Sequence, residues 1–146
     1  MIIGGLCQSA YLDFATAVHQ PQDRYMIALY KAGADINHKT TTYTAQGEVV
    51  GTVDNGYKSG GVLLRGYEAK LMTKSGNAVA YIDWDDPQWE NSTIKASAAL
   101  IYNASKGNKA LTVLDFGKEY TSGNGIFMVV LPEPGDTACI AIGDEL

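Results

Sequence analysis

Residues 94–116 read IKASAALIYNASKGNKALTVLDF. Ser97–Tyr102 is almost continuously apolar and Ala110–Phe116 largely so, while Asn103–Asn108 between them collects turn-forming residues. Gly107 is free to take a positive φ there. Two apolar runs joined by a polar turn predict a β-hairpin at the centre of a β-rich core, and this stretch sets the fold class.

Working outward, strand signals recur on both sides. Arg24–Lys31 is rich in Tyr, Met, Ile and Leu, and Ala32–Asn37 reads as a turn or loop. Thr40–Thr44 is β-prone but polar, an edge or an extended loop. Glu48–Val53 predicts a short strand ahead of the turn Asp54–Gly56, and Gly60–Gly66 frames the apolar run Val62–Leu64. Glu68–Thr73 and Ala78–Trp84 form a hairpin across Lys74–Asn77. Thr93–Tyr102, Ala110–Phe116, Gly125–Leu131 and Thr137–Ile142 complete eight or nine strands. Ser9–Val18 is the one helical candidate, with Leu12, Ala15 and Val18 as its apolar stripe, widened by Phe14. Ser9 is its expected N-cap and Pro21 its expected stop. The chain is therefore expected to begin with a short helix and not with a strand. The predicted class is all-β: one antiparallel β-sandwich domain over residues 1–146, jelly-roll-like, with residues 1–22 as an N-terminal arm and short helix. An immunoglobulin-type sandwich fits less well, because Cys7 precedes the helix and cannot sit on an early core strand.

A chain of 146 residues can bury a sizeable core, roughly 68–70% of the surface of its unfolded form. A net charge of −5 argues against a partner bound through nucleic-acid phosphates. The lysines are scattered, which leaves no basic membrane-surface helix, and no run approaches the ~18 apolar residues of a membrane span. The opening MIIGGLCQSAYLDF has no basic stretch followed by an apolar core and is not read as a secretory signal; the ending GDEL then has no retention role. Cys7 and Cys139 are expected as free, buried thiols, with a disulfide tying the two ends as the alternative.

Ile82–Trp89 (IDWDDPQW) is the densest chemical cluster. Asp83, Asp85 and Asp86 offer either a calcium site or an acid–base pair for glycosides. The favoured reading is a solvated strand end beside a Trp84 anchor, and the EF-hand pattern is absent. His19 closes the helix, where a cationic imidazole would meet the helix dipole; His38 is isolated. No G-x-S-x-G elbow or phosphate loop occurs, and the glycine pairs are read as turns and bulges. Trp84, Trp89, Tyr57, Tyr67 and Tyr120 offer a sugar-stacking platform, but most of them are expected in the core. No catalytic residue, cofactor site or metal ligand is assigned.

The run ALIYNASKGNKALTVLDFG (Ala99–Gly117) resembles a stretch found in small structural proteins of tailed bacteriophages. In the same order, HQPQDRYMIALYKAGADI (His19–Ile36), TTTYTAQGEVVGT (Thr40–Thr52) followed by Gly60-Gly61, and AYIDWDDPQWENSTIKA (Ala80–Ala96) resemble further parts of those proteins, so the likeness spans Gln8 to Ile142. The chain departs from their pattern at GTVDNGYKSGG (Gly51–Gly61), which is longer around Asp54-Asn55. The resemblance implies a non-enzymatic virion component, placed on the capsid surface as a cement or decoration protein. Its expected partners are the major capsid protein and neighbouring copies of itself, with no nucleic acid and no membrane. Met1–Gln8, Thr40–Thr44 and Gly143–Leu146 are candidate docking segments. Two alternatives remain: a tail or fibre component that binds a host-surface glycan, and a jelly-roll glycosidase or lyase using Asp83 and Asp85.

Overall fold

A computed structural model describes residues 1–135 and 137–144. In chain order the elements are β1 (Gly5–Leu6), α1 (Gln8–Ala15), β2 (Tyr25–Tyr30), β3 (Val62–Leu63), β4 (Glu68–Lys74) and β5 (Asn77–Asp83). They continue with β6 (Gln88–Ser92), β7 (Lys95–Asn103), β8 (Lys109–Thr121), β9 (Gly125–Met128) and β10 (Ile140–Gly143). Strand accounts for 43% and helix for 6%, so the protein is mostly β. The strands form a five-stranded sheet ordered β1-β8-β7-β2-β3, a three-stranded sheet β10-β5-β4 and a pair β6-β9. Among the described residues every pairing is antiparallel, and no sheet closes into a barrel.

The quoted hairpin is β7–β8, at the middle of the large sheet. Of the nine residues of β7, all but Lys95 are buried, so this antiparallel strand is covered on both faces. Ala99 and Ile101 pack with Ile27, Leu29 and Leu111 on one side, against Trp84, Trp89, Phe127 and Ile140 from the smaller sheets. Ala98, Leu100 and Tyr102 pack on the other with Cys7, Ala10, Ala34 and Ile36 from the N-terminal segment, the helix and the following loop. Here lies the reason for the continuous apolar run: a strand with one solvated face alternates, and a strand with two covered faces does not. The alanines keep the central strand thin enough for large side chains to approach from either side.

Three expectations are corrected. First, the helix spans Gln8–Ala15, not Ser9–Val18. It ends in a Schellman arrangement: Ala17 takes φ 57°, Val18 N–H donates to Asp13 O at 2.8 Å, and Ala17 N–H donates to Phe14 O at 3.2 Å. Local capping therefore stops the helix before Pro21 acts. Cys7, not Ser9, is the N-cap, and it makes no side-chain cap bond. Of the expected stripe, Leu12 (67% exposed) and Ala15 face outward, while Val18 is half-buried and Phe14 packs on the core beside the buried Ala10 and Asp13. Second, a strand precedes the helix, since Gly5 and Leu6 pair with Val113 and Thr112. Third, Glu48–Val53 is not a strand. Apart from a bridge between Glu48 and Tyr30, it belongs to an irregular crossing from β2 to β3.

That crossing is held by a buried carboxylate. Glu48 accepts from Tyr43 Oη at 2.6 Å, from Tyr57 Oη at 3.0 Å and from the Gly60 N–H at 2.6 Å. Tyr102 Oη donates to Gly60 O at 2.7 Å, and its ring stacks on Tyr43 at 4.8 Å. At the end of the crossing, Gly61 has φ 83°, and a Cβ there would land on the Ile27 carbonyl, so β3 reaches β2 only through glycine.

Candidate docking surfaces

The acidic cluster divides in the folded chain. Trp84 turns into the core, 4% exposed, as the expected anchor, but the strand end beside it is solvated only at Asp85 and Asp86: Asp83, which ends β5, is half-buried. Asp85 lies against Gly66, and Asp86 Oδ1 accepts the Leu131 N–H at 2.8 Å. A polar recess of about 270 Å³ runs along Asp83–Asp86 and Leu131–Pro134. Burial holds the Asp83 carboxyl above the usual carboxylate range, and the nearby carboxylates Asp86, Glu68 and Glu133 push the same way. Among the described residues, no group of three or more His, Cys, Asp or Glu side chains is arranged to hold a metal ion.

His19 is not the helix-end cation expected of it. It is buried between Phe14 and Tyr25, with ring centroids at 5.0 and 6.3 Å, and its Nδ1 lies 2.9 Å from Asn103 Nδ2. Burial lowers its pKa from the ordinary value, outweighing attraction from Asp13 and Asp23, so the ring is neutral at pH 7. The same Asn103 amide donates to Asp23 Oδ2 at 2.8 Å, and Lys106 Nζ reaches both Asp23 oxygens at 3.1 and 2.9 Å. Burial works against the Asp23 charge, yet the bonds from Asn103, Gln20 and Lys106 hold its carboxyl below the usual range. This chain of contacts fastens the segment after the helix to the β7–β8 turn; the groups bond to one another rather than facing a cleft. The carbonyl of His38 accepts the Gln8 N–H at 2.8 Å and so anchors the start of the helix.

Of the five aromatics considered for a sugar platform, Tyr57, Trp84 and Trp89 are core residues. Tyr67 stacks on Tyr25, and only Tyr120 among the five is substantially exposed. Cys7 and Cys139 are free and buried, and burial raises each thiol to about 12.

The three segments suggested as docking arms fare differently. Thr40–Thr44 is tied to the protein itself: Thr42 bridges Lys109, Thr41 O accepts the Ala110 N–H, and Tyr43 N–H donates to Asn108 O. Met1 is 77% exposed, but Ile3 N–H bonds Ile36 O, and Gly5 and Leu6 are a sheet strand. At the C-terminal segment, Gly143 lies in β10 and Asp144 accepts the Ala78 N–H at 3.0 Å, while residues 145 and 146 lie outside those described.

Two surfaces emerge instead. One is the β4 edge. All seven residues of β4 are exposed, Leu71 at 67%, and among the described residues β4 pairs only with β5. A tight turn through Ser75 (φ 51°) and Gly76 (φ 83°) joins the two, as the sequence predicts. Glu68, Lys70 and Lys74 place charges along this edge.

The other is an apolar groove of about 670 Å³ between β8 and β9, bounded by Val113, Phe116, Tyr120, Ile126, Met128 and Val130. The groove opens where β8 bulges: Ala98 pairs with Asp115 and Ala96 with Tyr120, so Phe116–Glu119 stand out of the ladder. The sequence marks Gly125–Leu131 as a strand, which in the structure ends at Met128, but not as a surface. The available signal was that GIFMVVL is apolar at every position after its glycine, which one buried face does not require.

Comparison with protein-family models, with curated proteins and with solved structures returns no match.

Proposed function

We propose that this chain is a cement protein of a tailed-phage capsid, which binds the shell of major capsid protein from outside and stabilises it without catalysing a reaction. On this reading the three antiparallel sheets make one jelly-roll-like β-sandwich, and neighbouring copies of the chain are further partners. The observation that carries the proposal is the β4 edge. A seven-residue strand exposed at every position and paired on one side offers its backbone to a strand or loop of a neighbouring protein. Its charges select among partners, because charged residues on an edge discourage indiscriminate strand pairing. A lattice repeats each contact many times, so single contacts of modest strength hold the particle together. Further support comes from Ala99–Gly117, the stretch that resembles phage structural proteins, which makes up most of the central β7–β8 hairpin.

The test is cosedimentation of the purified chain with shells assembled from the major capsid protein. Binding in fixed proportion to capsid subunits, weakened when Lys70 and Lys74 are both changed to Glu, is the expected result. No binding, or a few copies at one site of the particle, would overturn it.

A further inference from the structure

The row formed by Ile126, Met128 and Val130 is anomalous for a strand at the surface. Phe127, Val129 and Leu131 point inward and are 4–6% exposed, whereas Ile126, Met128 and Val130 are 59%, 49% and 69% exposed. The outward face of a half-buried strand is ordinarily polar. Here it is apolar and continuous with a groove in which Asp115 is, among the described residues, the one charged lining residue.

The backbone is arranged to match. Trp89 pairs with Phe127 and Gln88 with Met128, and Val129 N–H donates to Pro87 O at 3.0 Å. Antiparallel ladders alternate, so Phe127 and Val129 bond toward β6. The N–H and C=O groups of Ile126, Met128 and Val130 therefore point to the opposite side. Among the described residues, no strand is paired with β9 on that side.

We propose that this edge is a homodimer interface, with residues 126–130, the end of β9 and the two residues after it, pairing antiparallel to the same residues of a second copy about a two-fold axis at Met128. The strip is its own complement in that register. Met128 faces its counterpart and Ile126 faces Val130 of the other copy, so all three outward-directed residues fall into hydrogen-bonded pairs. The apolar row of each copy then covers the groove of the other. Charge agrees: Asp115 at the foot of the bulge and Glu119 within it stand beside the groove together with Lys118, whose ammonium sits 4.9 Å from the Tyr120 ring centroid. A rim bearing both signs can set unlike charges across a two-fold, which matters for a chain of net charge −5. The pairing concerns the chain alone in solution and stands or falls separately from the capsid reading.

The experiment combines sedimentation equilibrium with a cysteine at the axis. Directly opposed residues of a hydrogen-bonded antiparallel pair have Cα atoms about 5.5 Å apart, within the range a disulfide spans. The expected results are a dimer for the wild type, a monomer with unchanged far-UV circular dichroism for Met128→Lys, and a covalent dimer for Met128→Cys on mild oxidation. Val53→Cys, fully exposed in the β2–β3 crossing and outside both proposed surfaces, serves as the control and stays uncrosslinked, and the native thiols are buried. A wild type that is monomeric throughout its concentration range would overturn the proposal. So would a dimer untouched by Met128→Lys, or crosslinking no faster at 128 than at 53; each would leave the groove to a different partner.

Discussion

Protonating His19 places a cation between Phe14 and Tyr25, at a ring nitrogen already approached by the Asn103 amide. The fold therefore favours the neutral ring, and its folded-state pKa lies below the ordinary 6.5. The unfolded chain takes up this proton first on acidification. Stability from this site is complete above about 6.5 and is lost as pH falls through that value toward the folded-state pKa. Asp13, Asp23, Lys106 and Lys109 all act on the ring, the carboxylates opposing the shift and the lysines reinforcing it. Urea denaturation between about pH 7.5 and about pH 5.5 is expected to show a falling midpoint, and His19→Gln to flatten that fall. An unchanged slope in the variant would mean that another group governs this window. Asp23 acts lower: its folded-state pKa is depressed below 3.8, so its contribution is present above that value and disappears in stronger acid. None of these partnerships is visible in the sequence. His19 and Asn103 are 84 residues apart, and no local pattern brings them together.

Among the elements, β7 shows what burial on both faces means in energy. Leu100 and Ile101 are consecutive and point to opposite sides, and both are fully buried. Truncating either to Ala is expected to cost about 2–5 kcal/mol. In a strand with one solvated face, one of the two would stay within about 0.5 kcal/mol of the parent. Denaturant midpoints for the two variants decide between these outcomes. The same apolar continuity made β7–β8 readable from the sequence, and the Ser75-Gly76 turn did the same for β4–β5. The strand Gln88–Ser92 was missed because QWENS carries four polar residues around Trp89, a composition typical of a loop; its pairing with β9 supplies what its residue preferences do not. The helix was misplaced for a related reason. Leu12 and Ala15 fit an apolar stripe, but the tertiary contacts place Ala10 and Asp13 inside.

Across the whole molecule, one core joins what the hydrogen bonds separate. Trp84 follows the three-stranded sheet, Trp89 belongs to the β6–β9 pair, and both pack with Ile27 and Ile101 of the large sheet. Unfolding followed by tryptophan fluorescence and by far-UV circular dichroism is therefore expected to give coincident transitions. Separate transitions would show that the small sheets come away before the large one. The sequence by itself determined the mostly β class, the central hairpin, the edge hairpin and the burial of the tryptophans, because these follow from short-range patterns of polarity and turn chemistry. Only the tertiary structure decided which strand faces were covered. Whether an apolar position is buried depends on what packs over it, so the exposed row on β9 and the buried carboxylate of Glu48 appear only once the sheets are assembled.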